Sequence, residues 1–96
     1  MGSTEIGHSS FKGCTSLEKI IIPSTVTKID SYAFENCTNL KEVYIKPTTV
    51  TFNTNCFNKT SGVTTTFFFK NATVAGTLTT EHYKEEYGTK STNYSW

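Results

Sequence analysis

The sequence predicts a β-rich solenoid: about three stacked coils of 23 residues, each with short strands and a helical turn, then a cap with a short helix. Three observations carry this. A shift of 23 residues lays apolar positions on apolar positions: Ile6, Ile29 and Phe52; Phe11, Phe34 and Phe57; Leu17, Leu40 and Val63; Ile22, Ile45 and Phe68. Segments near 18–22, 41–45 and 64–69 alternate inward and outward, as half-buried strands do. The chain is also rich in Thr, with 19 copies, and a β-branched hydroxyl side chain suits a half-exposed pleated surface.

The repeat decides between order and disorder. Leu, Ile, Val and Phe number 21 of 96 residues, a level at which composition alone permits a disordered chain. Their strict spacing argues for a fold. One repeat offers too few apolar side chains to offset the entropy of ordering its backbone, whereas stacked repeats share faces and pair backbones. Length fits one small domain. Net charge is +1, so no electrostatic footprint for nucleic acid is present. No apolar run reaches the 18 residues expected of a membrane span.

In chain order, residues 1–5 read as a tag or N-terminal remnant. Repeats follow at 6–28, 29–51 and 52–70, and 71–96 reads as a C-terminal capping segment. Pro23 and Pro47 close the first two strands, Val26 to Ile29 is a second extended piece, and 31–36 reads as a tight helical turn. Thr79 and Thr80 before Glu81, with Gly88 as a stop, predict a helix at about 80–87. No comparable segment covers the N-terminal edge, which is expected to be open. It would extend into a longer solenoid or pair with a second copy.

Leu17-x-x-Ile20-x-Ile22 and Leu40-x-x-Val43-x-Ile45 have leucine-rich-repeat spacing. The stretch from Ile22-Pro23 through Ala33-Phe34-Glu35-Asn36-Cys37-Thr38-Asn39-Leu40 to Ile45 resembles the BspA-type leucine-rich repeat of bacterial and trichomonad surface proteins. The resemblance covers about residues 6–70. It fades in the third copy, where Cys56 replaces Ala33 and Thr60 replaces Cys37, and Asp30 stands where that family usually has Gly. It implies a protein or glycoprotein partner, adhesion or host interaction, no cofactor, and a place at the cell surface or outside the cell. The cytoplasm is the alternative.

No motif points to chemistry. Cys14 and Cys37 share a repeat position, which adjacent coils would bring near disulfide range, yet such ladders usually hold buried thiols. His8, His82, Cys14, Cys37 and Cys56 lack paired metal-ligand spacings. Asp30 is the sole Asp, and neither a Gly-x-Ser-x-Gly elbow nor a phosphate-cradling Gly loop is present. Asn36, Asn58, Asn71 and Asn93 begin Asn-x-Ser/Thr sequons, glycan acceptors only in a secretory setting and in part accidents of abundant Thr.

The outward strand positions are the candidate site. With Leu17, Ile20 and Ile22 inward, Lys19, Glu42 and Thr65 form one outward row and Ile21, Tyr44 and Phe67 the next, flanked by Lys46 and Phe69. An apolar, aromatic row on a face expected to meet water, rimmed by charge, has the anatomy of a recognition surface. The competing readings are a seam against a missing neighbour, or an alternation that slips by one within Phe67–Phe69. The function expected is non-enzymatic binding of a protein or glycan. The alternatives are a structural cap or spacer of a larger surface protein, or a small protein inhibitor.

Overall fold

The structure, a computed structural model, describes residues 4–96. Met1, Gly2 and Ser3, most of the expected remnant, lie outside the described residues. Seven strands follow in chain order: β1 (Thr4–Ile6), β2 (Lys19–Ile22), β3 (Val26–Ile29), β4 (Glu42–Ile45), β5 (Thr51–Phe52), β6 (Thr65–Phe69) and β7 (Gly88–Ser91). They form two parallel sheets, a short one ordered β1-β3-β5 and a long one ordered β2-β4-β6-β7. Parallel pairing follows from the repeat, since each period returns the chain to the same side running the same way. Thr4 and Glu5, grouped by sequence with the remnant, belong to β1 and pair with β3.

The third side of the coil is a ladder of turns, not the helical turns expected. Phe34 N–H bonds to Ala33's counterpart in the next coil, the Cys56 carbonyl, at 2.7 Å; Phe11 does the same to Ala33, and Asn36 to Asn58. Alternate N–H groups turn back within the coil, as Glu35 does to the Tyr32 carbonyl. Carbonyls spent on the neighbouring coil are unavailable for an i→i+4 helix, so the chain makes successive tight turns. Tyr32 and Asn36 reach positive φ (60° and 58°) to do so, as do Ser9 and Asn55 in the same ladder.

The core consists of side-chain columns running across the coils. Phe11, Phe34 and Phe57 stack with ring centroids 5.0 Å apart and planes within a few degrees of parallel. Ile22, Ile45 and Phe69 form a second column, in register across β2, β4 and β6, and Ile29 faces Phe52 in the short sheet. Cys14, Cys37 and Cys56 are free thiols. Cys37 and Cys56 are buried, and burial pushes the Cys56 thiol up to about 12. Lys59 is the buried cation: its ammonium donates to the Cys37 and Leu40 carbonyls at 3.5 and 3.1 Å, and burial lowers its pKa.

Residues 71–96 do more than the sequence predicts. They supply a fourth turn of the solenoid, with β7 pairing in parallel along β6. The α-helix of this segment is α1 (Ala72–Ala75), capped by the Asn71 side chain, which accepts from the Thr73 and Val74 N–H groups. The helix expected at 80–87 is reduced to a 3-10 turn at Glu85–Tyr87. The reason is again the ladder, because the Glu81 and His82 carbonyls accept from Asn55 and Phe57 of the preceding coil.

Candidate functional site

The outward face of the long sheet can be read row by row from its register. Lys19 pairs with Glu42, and Glu42 in turn with Thr66; Ile21 pairs with Tyr44, and Tyr44 with Phe68. In the first two coils Lys19, Ile21, Glu42, Tyr44 and Lys46 lie on the outward face, with Tyr44 buried there at 8% exposure. In the third they do not: Thr65, Phe67 and Phe69 point into the core, at 3%, 0% and 1% exposure. Thr66, Phe68 and Lys70 replace them outside. The strand-to-strand spacing is one residue longer here, and the extra residue falls between Asn58 and Thr66, where the chain turns at Gly62. Gly62 has φ +115°, and a Cβ there would run into the Thr38 backbone, so only glycine closes this turn. A one-residue slip exchanges the two faces of a strand.

The C-terminal tail folds back over this face. Tyr94 packs against Tyr44 and Phe68 with ring centroids 5.0 and 5.1 Å apart, and Trp96 stands edge-on to Tyr44 at 5.8 Å. Tyr44 and Phe68 stack on each other at 4.8 Å. The result is a cluster of four aromatic rings, flanked by Ile21, which is 52% exposed. Lys19 places its ammonium 5.4 Å from the centre of the Tyr44 ring, a cation–π contact. Burial under the tail pushes the Tyr44 phenol up to about 12, helped by its hydrogen bond to Glu42 Oε1 at 3.0 Å. At physiological pH Tyr44 is therefore a neutral donor, fixed by Glu42.

Beside the cluster lies an open pocket of about 370 Å³, lined by Lys19, Ile21, Tyr44, Lys46, Lys70, Tyr94, Ser95 and Trp96. Its volume falls in the range of small-ligand sites. The sequence pointed to four of these residues, Lys19, Ile21, Tyr44 and Lys46. It missed Lys70, hidden by the slip, and Tyr94, Ser95 and Trp96, whose Tyr-x-Trp spacing in a polar tail was the one available signal.

The remaining sequence candidates are dispersed. Among the described residues no three of His, Cys, Asp and Glu come together as a metal site would require. His82 is buried, its Nδ1 accepts the Thr79 N–H at 2.9 Å, and burial lowers its pKa. Of the sequon residues, Asn36 and Asn71 use Oδ1 to accept backbone N–H groups, Asn58 is half-buried and Asn93 is exposed. No described helix is long and apolar enough to cross a membrane.

The family model described as a BspA type leucine rich repeat region of six copies matches residues 2–82 of this chain. The chain belongs to this family. The matched span runs past Phe69, where β6 ends, into the fourth turn of this leucine-rich-repeat solenoid. No curated protein and no solved structure matches the chain. Repeats of this type make binding modules, and the fold of this one presents its pocket on the outward face of the long sheet.

Proposed function

We propose that this leucine-rich-repeat domain is a non-enzymatic binding module that recognises a protein or glycan partner at a cell surface, through the outward face of β2, β4 and β6 together with the tail. One observation carries the reading: an aromatic cluster with an exposed Ile21 adjoins a pocket rimmed by lysines, on a rigid sheet whose inner face is fully occupied. Aromatic anchors ringed by charge are what protein recognition sites are made of.

The test compares the wild-type domain with an Ile21→Glu/Lys46→Glu variant on immobilised epithelial and matrix glycoproteins. Both positions are exposed, so the variant is expected to keep its circular dichroism and its mass by light scattering. Retention of wild type and loss of the variant is the expected result. Equal retention, or none by either, would remove this face from function.

A second reading has its own support. Phe11 is 36% exposed at the end of the phenylalanine column, and Ile6, Leu17 and Ile20 beside it are only partly buried. That edge suits a further coil or a second copy, as in a structural segment of a longer solenoid.

A further inference from the structure

The pocket contains an electrostatic arrangement that folding does not require. Ile45 pairs with Phe69 across β4 and β6, and the Lys70 N–H bonds the Ile45 carbonyl at 3.1 Å, so Lys46 and Lys70 come next along the same ladder. They leave on the side that carries Tyr44 and Phe68, two residues back in each strand. Two ammonium groups thus stand on neighbouring strands, about 5 Å apart at the backbone. Like charges placed so repel. Neither makes an ion pair among the described residues, although Lys12, Lys28 and Lys41 each do. The pocket lining contains no Asp or Glu side chain, the α-carboxyl group of Trp96 being its one acid against three lysines, and the third of these, Lys19, lies over Tyr44.

An anion seated between Lys46 and Lys70 would relieve that repulsion. The rest of the wall defines what carries the anion. Tyr44, Tyr94 and Trp96 meet steeply, at interplanar angles of 61°, 79° and 89°, and make a corner of ring faces and edges rather than a flat slot. Tyr94 and Trp96 remain 43% and 40% exposed, so their faces are available. A corner of this kind suits a compact ring with one apolar C–H face and polar edges, which is a pyranose. Ser95 in the same wall supplies a hydroxyl for the sugar's own hydroxyls. The anion is a carboxylate, the acid group that an acidic pyranose carries on a ring carbon beside its C–H face. The two ammonium groups meet it as point charges, and the N–H groups of Lys46 and Lys70 are spent in the ladder, so the backbone adds no anion nest.

We propose that the Lys46–Lys70 pair and the corner that Tyr94 and Trp96 make over Tyr44 bind the acidic sugar of a glycan, a sialic or uronic acid, with its carboxylate between the two ammonium groups and its C–H face on Tyr94 and Trp96. This rests on the recognition face proposed above and names the ligand class it takes. The tail is then half of the site, because strands provide the cations and the tail provides most of the ring surface.

The experiment uses the whole chain with sialyllactose, a hyaluronan tetrasaccharide, lactose and a blocked Glu-Phe-Glu peptide as separate probes. Ligand-observed saturation-transfer NMR reads binding, and the emission of Trp96, the single tryptophan, reports whether it occurs in this pocket. At least one acidic saccharide is expected to bind about tenfold more tightly than lactose, and the two acidic probes separate a sialic from a uronic source. Lys46→Gln/Lys70→Gln should erase that preference while leaving thermal stability unchanged or raised, since it removes a like-charge pair. Equal binding of lactose, or no binding of either acidic saccharide, overturns the inference. So does binding of the peptide alone. If the acidic saccharides fail while Ile21→Glu/Lys46→Glu still abolishes retention on glycoproteins, only the ligand class falls. If retention is also insensitive, the face itself falls.

Discussion

The two ends of the phenylalanine column are made of the same residue at the same repeat position, and they are finished differently. Phe34, in the middle, is stacked on both faces and 1% exposed. Phe57, toward the C-terminus, is 5% exposed, closed edge-on by Phe67 at 5.0 Å and backed by the fourth turn. Phe11, toward the N-terminus, has a neighbour on one face only and is 36% exposed. The repeat supplies identical side chains, but their worth depends on whether something irregular closes the stack. At the C-terminal end that closure comes from the buried residues of the fourth turn, Val74, Ala75, Leu78, His82 and Tyr83, whose side chains break the repeat pattern although Ala75 itself falls 23 residues after Phe52.

Single substitutions along the column sharpen this contrast. Phe34→Ala empties a site enclosed on both sides and is expected to cost about 3–5 kcal/mol in denaturant unfolding, against about 1 kcal/mol for Phe11→Ala. Equal losses would mean that the open edge is covered in solution, and light scattering would then reveal the second copy. Leu78→Ala strikes the closure itself. Leu78 is fully buried, so the change should cost about 2–4 kcal/mol. Hydrogen exchange at Phe57 and Phe67 should accelerate more than at Ile22, because the damage is local to one end.

The smallest effect is one of pH, and it too lies at the closed end. Burial lowers the pKa of His82, so the folded state disfavours its proton while the unfolded state binds it near the ordinary value of about 6.5. Stability should therefore be full above that value. It should fall as pH drops through the interval between the unfolded and the lower folded value, and the loss is complete below the latter. His82→Gln should flatten melting temperature against pH below about pH 7. A wild type with no slope there would show that the fourth turn does not depend on a neutral imidazole.

Much of the candidate site was legible in the first two coils and little of it beyond. Lys19, Ile21, Glu42, Tyr44 and Lys46 belong to strands whose alternation is unambiguous, because Ile20, Ile22, Val43 and Ile45 leave one choice of inner face. The third strand reads Thr65-Thr66-Phe67-Phe68-Phe69, preceded by Thr64, and gives no alternation to count. Either set could face inward. Extending the period of 23 therefore puts Thr65, Phe67 and Phe69 outward, and the structure reverses all three.

What the sequence determined by itself is the coil: its length, its parallel sheets, its stacked columns and its family. These rest on short-range spacing repeated often enough that no other arrangement buries the apolar set. What only the tertiary structure decided is the face. Two aromatic side chains go inward with Phe67 and Phe69, and Thr65 can follow them because its hydroxyl donates to the Leu40 carbonyl at 2.7 Å. The alternative register would bury Thr66, Phe68 and Lys70, and Lys70 would carry an ammonium into the core. The placement of the tail was decided by the same choice, since only with Phe68 outside, stacked on Tyr44, do Tyr94 and Trp96 have an aromatic surface to cover.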